Sequence, residues 1–153
     1  MRLDAAVYPD PEVAHAITQT FVPVKLNILE DADAQQVAQQ YHVRWTPTLL
    51  VADGDGVEQL RFEGFIGKER LLGKLVLVQG FAAFHRSDFA SAAQRFEEAA
   101  QRYPSVAAEA LFWLGVARYK GGDLEGLKAA WTQVWNNYPD TEWAERVSFL
   151  FTS

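Results

Sequence analysis

Few side chains in this sequence could do chemistry. Its 153 residues include no cysteine, and the three histidines, His15, His42 and His85, lie far apart. Without cysteine the chain has no disulfide, no thiolate nucleophile and no sulfur ligand for a metal. The histidines show neither the HExxH spacing nor a pairing with helix-spaced carboxylates, so we predict no metal site and no cofactor.

Other catalytic patterns are also missing. The sequence has no GxSxG, no phosphate-binding glycine loop and no paired carboxylates at a convincing site. We therefore predict that this chain is not an enzyme, and leave that question open for a longer natural protein. The remaining chemistry is recognition, and the stretch "YHVRWTPTLLVADGDG" draws attention to Trp45, Thr46 and Pro47, which precede an apolar run.

Charge and hydropathy narrow the choice of partners. The chain carries 14 Lys and Arg against 20 Asp and Glu, and no basic run could hold a phosphate backbone. Its apolar stretches are too short and too interrupted to span a bilayer, and its N-terminus lacks the apolar core of a secretory signal. We predict no nucleic acid partner, no membrane insertion and, for the chain as written, a cytoplasmic location. A missing N-terminal segment would leave that location unknown.

The elements that must position Trp45 to Pro47 alternate between helix and strand. Asp10 is suited to cap a helix from about Pro11 to Thr20, and the alternating run Val22 to Leu29 predicts a strand. A short helix is predicted near Asp33 to Tyr41. The strand-like runs "PTLLVAD" and "VEQLRFEGF" flank "DGDG", which predicts a hairpin turn. This order is typical of an α/β fold.

With these residues included, the first half resembles the thioredoxin fold, over residues 1–75. The matching pieces are "VKLNILEDADAQQVAQQYHVRWTPTLLV", the turn "DGDG", Gly64 and the closing helix "GKERLLGKL". The resemblance implies that Pro47 is cis and that Trp45, Thr46 and Pro47 form a loop that receives a substrate peptide. Alternatively, the three residues only shape a tight start to the following strand.

The sequence departs from thioredoxins at its N-terminus. Thioredoxins open with two strands and a Cys-x-x-Cys, whereas here Met1 falls where the residues just after that motif belong. One of the two missing strands normally lies in the centre of the sheet. Three arrangements therefore remain open: the two parallel strands pair directly, another chain fills the exposed edge to give a homodimer, or the natural protein starts upstream.

The second half contains an internal repeat. "LVLVQGFAAFHRSDFASAAQRFEEAAQRYP" and "ALFWLGVARYKGGDLEGLKAAWTQVWNNYP" are related by an offset of 35 residues, which predicts stacked units. Asp88 and its equivalent Asp123 are suited to cap the second helix of each unit, while Gly80 and Gly115 let helices approach closely.

This unit resembles the tetratricopeptide repeat, a pair of antiparallel helices. The resemblance predicts repeats at residues 73–107 and 108–141 and a capping helix at 140–151, together a second domain at 73–153. Between the halves "GKERLLGKL" continues without a break, which predicts one helix from about Lys68 to Arg86. The predicted fold class is α/β plus all-α: a partial thioredoxin-like β/α unit, two tetratricopeptide helix pairs and a C-terminal capping helix.

In tetratricopeptide arrays the first helix of each pair lines a concave groove. Phe81 and Val116 occupy places where binders of acidic peptide C-termini carry asparagine and basic residues, so we expect an apolar segment or helix as ligand. Alternatively, Phe81, Phe84 and Phe112 are buried against the C-terminal helix or the thioredoxin-like half, which is the commoner fate of apolar residues at helical spacing. By the repeat's register the groove candidates are Leu77, Phe81, Phe84, His85, Phe112, Val116, Tyr119 and Lys120.

Two functions follow from this organisation. The first is a non-catalytic interaction module, whose groove binds a protein or peptide partner while the thioredoxin-like part serves as a scaffold. The second is the C-terminal part of a thiol-disulfide oxidoreductase or redox chaperone whose Cys-x-x-Cys lies upstream, which the "WTPT" loop favours.

Overall fold

The computed structural model describes residues 10–21, 32–43, 48–63 and 67–152. This described part contains seven α-helices and two strands, and it agrees with the predicted fold class. Contacts divide the chain into two compact units, Met1–Lys68 and Glu69–Ser153. The elements are α1 Pro11–Thr20, α2 Ala32–Gln40, β1 Thr48–Ala52, β2 Glu58–Glu63, α3 Lys68–His85, α4 Phe89–Arg102, α5 Ala107–Lys120, α6 Leu124–Asn137 and α7 Glu142–Val147, with 3-10 turns at Pro104–Val106 and Ser148–Leu150.

The start of α1 confirms the predicted cap. The Asp10 carboxylate accepts hydrogen bonds from the backbone N–H groups of Glu12 and Val13, at 2.9 and 3.4 Å, and Pro11 is the first helical residue. Proline suits this place because its missing N–H would have had no partner in the helix. The Nζ of Lys68 lies 2.8 Å from Asp10 and 3.0 Å from Glu12, so the first turn of α1 combines a cap with two ion pairs.

Strands β1 and β2 form the predicted hairpin. They pair antiparallel from Thr48 opposite Glu63 to Ala52 opposite Glu58, with an irregularity in the register after Val51. In the turn, the Asp53 carboxylate accepts from the N–H groups of two later residues, Asp55 and Val57, each at 2.9 Å. Gly56 adopts a φ of 81°, a conformation that a side chain would strain, which explains glycine at this place.

Other predictions for this half fall on residues that are not described. The predicted strand Val22 to Leu29 lies outside the described residues, and so do Trp45, Thr46 and Pro47. Within the described ranges the sheet has two strands, β1 and β2. How the sheet is completed, and whether a homodimer forms at its edge, therefore stay predictions.

The second unit consists of two helix pairs and a short final helix. As predicted, α3 runs without a break, ending at His85. Asp88 caps α4 by accepting from the Ser91 N–H at 3.2 Å, and Asp123 caps α6 by accepting from the Gly126 N–H at 2.8 Å. These two equivalent caps confirm that each 35-residue unit begins its second helix in the same way.

Glycines allow the helices of each pair to approach closely. A Cβ on Gly80 would lie 2.6 Å from the ring of Phe96, and one on Gly115 would overlap the indole of Trp131. Phe96 is completely buried and Trp131 is 9% exposed. Each large ring therefore fills the space that its glycine leaves, and the core of the unit lies between the paired helices.

Candidate functional site

The predicted substrate loop lies outside the described residues, whereas the segments on both sides of it in the sequence are described. The Tyr41 hydroxyl, just after α2, donates a 2.7 Å hydrogen bond to the backbone oxygen of Gly56 in the hairpin turn. The Arg61 guanidinium on β2 donates to the backbone oxygen of Tyr41. These contacts fix the end of α2 against the hairpin, on either side of the loop. The binding role of Trp45, Thr46 and Pro47 stays a prediction.

The eight predicted groove residues divide by exposure. They belong to α3 and α5, the first helices of the two pairs, which we call the groove helices. Leu77 is only 1% exposed, so it is a core residue and offers no surface to a ligand. The helical register predicted that Leu77 lies on the groove face, but a register alone does not show that other residues pack over Leu77. The half-buried candidates are Phe81, Phe84, Phe112 and Val116, and the exposed ones are His85, Tyr119 and Lys120.

Trp113 connects the aromatic residues of the two groove helices. Its ring centroid lies 5.2 Å from Phe81, 6.3 Å from Phe84 and 5.3 Å from Phe112, with edge-to-face geometry in each pair. Such arrangements stabilise aromatic clusters beyond the burial of their area. Trp113 was missed in the sequence because it follows Phe112 directly and falls off the expected groove register. The groove helices thus share one aromatic cluster.

The C-terminal helix extends this cluster. The Phe112 ring stacks on Trp131, with centroids 5.3 Å apart and planes 7° from parallel, and contacts Trp143 of α7 at 5.3 Å. The Arg146 guanidinium lies 4.5 Å from the Trp143 ring centre and 5.9 Å from that of Phe112, within the range of cation–π attraction. Phe112 therefore contacts α7 and stays half-buried, and α7 covers this end of the cluster.

A polar depression lies near the N-terminal ends of the groove helices. Lys74 of α3 and Glu109 of α5 form an ion pair of 3.0 Å, and Glu69 accepts a 3.1 Å hydrogen bond from the Ser105 backbone. The depression has a volume of about 420 Å³, and Thr141 and Trp143 contribute to its wall. The sequence did carry a signal for this pair, because Lys74 and Glu109 are separated by the repeat spacing of 35 residues.

Ion pairing differs between the groove helices and the second helices of the pairs. On α4, Arg95 and Arg102 both pair with Glu98, at 3.1 and 3.2 Å, and on α6 Lys128 pairs with Glu125. Within the described part of the chain, Arg70 of α3 and Lys120 of α5 have no acidic partner. The groove helices therefore carry two cations, Arg70 and Lys120, that form no ion pair within the described ranges.

Two other kinds of site are absent from the described ranges. No group of three or more His, Asp or Glu side chains there could hold a metal ion. No helix among these residues has both the length and the apolar character needed to cross a bilayer. What the described side chains offer is a set of aromatic, aliphatic and cationic groups, which suits noncovalent recognition.

Comparison with known families agrees with this architecture. A profile for the thioredoxin-like domain matches residues 1–79, just over half of the chain, and a tetratricopeptide repeat profile matches residues 109–141. The chain belongs to the thioredoxin-like domain family, and it carries a tetratricopeptide repeat in its second half. No curated protein and no solved structure matches it significantly. The matched repeat spans α5 and α6, the second of the two pairs.

Proposed function

We propose that this chain is a non-catalytic protein-interaction module, in which the groove helices bind a partner protein or peptide and the thioredoxin-like part serves as a scaffold. The observation that supports this proposal is the contrast in ion pairing between the groove helices and the second helices of the pairs. Helix α5 presents the exposed ring of Tyr119 and the cation Lys120, which has no ion pair within the described ranges, whereas the cations of α4 and α6 pair within their own helices. An exposed aromatic ring and a cation without an ion pair are groups that a protein ligand can use.

A substitution in the middle of α5 tests this function. Val116 is half-buried and belongs to the groove candidates, while Ala129 on α6 is exposed and lies on the other helix of the same pair. Immobilised wild-type chain would be used to capture proteins from an extract of its source cells. We expect Val116→Glu to lose a specific captured protein, since a carboxylate would be desolvated against an apolar ligand, and Ala129→Glu to retain it.

Circular dichroism melting must show that both variants are folded. If Val116→Glu does not fold, Val116→Ser offers a milder change at the same position. Capture of the same proteins by wild type and by a folded Val116 variant would contradict a groove on these helices. The matched Ala129→Glu variant adds the same charge, so it separates a local effect from a general change in net charge.

The second function, the trailing part of a thiol-disulfide oxidoreductase or redox chaperone, has the support of the thioredoxin-like match and the "WTPT" sequence. It requires a dithiol that this chain does not contain. The intact mass of the protein from its native source, compared with 17.2 kDa, tests it directly. A larger mass with Cys-x-x-Cys in the extra peptide would favour this function, and an equal mass would exclude it.

A further inference from the structure

The two repeats differ at one pair of equivalent positions. Phe84 at the end of α3 and Phe89 at the start of α4 correspond, 35 residues later, to Tyr119 and Leu124. The rings of Phe84 and Phe89 lie 5.3 Å apart, and both residues are half-buried. In contrast, Tyr119 is 56% exposed and Leu124 is 48% exposed. The equivalent apolar pair is therefore half-buried in the first repeat and exposed to solvent in the second.

The difference follows from the next helix in the stack. In the first repeat, Trp113 of α5 packs on Phe84 with a centroid distance of 6.3 Å. The residue 35 positions after Trp113 is Ser148, which begins a 3-10 turn after α7 has ended at Val147. A serine side chain is too small to cover an aromatic ring and a leucine. The uncovered pair thus marks the place where a further helix with a large side chain would stack.

A cation lies close to this open pair in the sequence. Lys120 follows Tyr119 and is exposed, and within the described ranges no acidic group pairs with it. By comparison, Arg118 of the same helix lies 3.5 Å from Glu97. Lys120 is therefore a cation available to a ligand carboxylate, while the exposed acids Asp123 and Glu125 flank Leu124 in the sequence.

We propose that Tyr119, Leu124 and Lys120 form the docking site for an amphipathic helix of a partner protein, which places a tryptophan or phenylalanine on Tyr119 and Leu124, as Trp113 lies on Phe84, and a carboxylate beside Lys120. This inference rests on the proposed function, because Tyr119 and Lys120 belong to the groove candidates. A second copy of the chain fits the site less well, since symmetric pairing through it would bring two Lys120 side chains together.

Synthetic peptides test the ligand chemistry. The first probe is an alanine-rich helical peptide of about 18 residues, long enough to be partly helical in water, with one tryptophan and a glutamate one turn away. Two matched peptides carry Trp→Ser, which copies the residue at Ser148, and Glu→Lys. Fluorescence anisotropy of labelled peptide with the full chain gives the affinities. We expect the Trp→Ser peptide to bind about tenfold or more weakly, because the buried aromatic contact is lost. The Glu→Lys peptide should bind about threefold to tenfold more weakly.

Substitutions in the chain then locate the site. We expect Tyr119→Ser to weaken binding of the tryptophan peptide about tenfold, and Phe149→Ser, at a residue that is 65% exposed, to leave it unchanged. Lys120→Glu should weaken binding more than Lys128→Glu, which makes the same change on α6.

The inference is overturned if the tryptophan peptide binds no better than its serine counterpart, or if Tyr119→Ser and Phe149→Ser behave alike. A captured partner that requires Val116 but is retained by folded Tyr119→Ser would also overturn it, while leaving the proposed groove function intact. If folded Val116 variants captured the partner as well as the wild type did, the proposed function itself would be contradicted.

Discussion

The side chains of Lys74 and Glu109 occupy the same position in successive repeats, and they form an ion pair of 3.0 Å between α3 and α5. Both are well protected from solvent, with 24% and 19% of the side chain exposed. Because the two residues are 35 apart, the pair joins one repeat to the next directly. Contacts of this kind between neighbours supply much of the stability of stacked repeats.

We expect Glu109→Gln to lower the free energy of unfolding by about 1 kcal/mol, since it removes the charge opposite Lys74 at a partly buried site. Urea denaturation at neutral pH measures the change. Glu125→Gln is the matched control, because its partner Lys128 is largely exposed and the pair lies within one helix. An equal effect of the two substitutions would contradict a role for the inter-repeat pair.

Glycine 80 gives a second stability prediction. In Gly80→Ala the new methyl group would meet the buried ring of Phe96, so we expect a loss of about 1–3 kcal/mol from overpacking. Gly121→Ala is the control, since its Cβ would have no neighbour closer than 3.5 Å. Thermal melts of both variants provide the comparison. If Gly80→Ala proved as stable as the wild type, the result would contradict the close approach of α3 and α4 at this position.

The cap of α4 predicts a specific dependence on pH. The side chain and backbone N–H of Ser91 lower the pKa of the Asp88 carboxyl below its usual value. A group with a lowered native pKa stabilises the fold fully above its unfolded pKa of about 3.9, and this contribution is lost as pH falls through the native pKa. Asp88→Asn keeps a capping side chain but cannot titrate, so we expect its stability to fall less steeply on acidification below about pH 4.

Unfolding midpoints in urea, measured from neutral pH down into this acid range, would show the difference between Asp88→Asn and wild type. Asp88→Ala should lower the urea midpoint already at neutral pH, because the Ser91 N–H then loses its acceptor. Parallel acid profiles for wild type and Asp88→Asn would mean that this carboxyl contributes nothing to acid sensitivity.

Thiol chemistry provides a functional prediction. Because disulfide exchange needs a thiolate and this chain has no cysteine, we expect no reduction of insulin disulfides above the rate with dithiothreitol alone. Turbidity of precipitating insulin chains gives the measurement, with a thioredoxin as the positive control. A rate above background from cysteine-free protein would falsify this expectation.

Local sequence signals predicted much of the fold. The Asp10 cap with Pro11 gave the start of α1, and the Asp88 and Asp123 caps gave the starts of α4 and α6. These signals are strong because a cap satisfies backbone donors within two or three residues of itself. The repeat spacing added the close approach of helices at Gly80 and at its equivalent Gly115.

Contacts between distant residues were harder to predict. The groove register placed Leu77 on an accessible face, yet it is buried, and it gave no sign that Trp113 would lie between Phe81 and Phe84. A helical register identifies the face of a residue but not what packs on that face from another helix. The exposure of Tyr119 likewise depends on Ser148, a residue far along the chain.

The covering of Phe112 by α7 also has a consequence for the order in which the array opens. This helix has six residues, and Thr141 caps it by accepting from the Ala144 N–H at 3.2 Å. So short a helix depends on contacts such as that between Trp143 and Phe112 rather than on its own hydrogen bonds. In a linear stack, terminal elements open more readily than interior ones. Amide hydrogen exchange should therefore begin in α7 and in the 3-10 turn that follows it and spread inward, so that release of C-terminal contacts such as that of Trp143 with Phe112 starts the unravelling of the stack from this end.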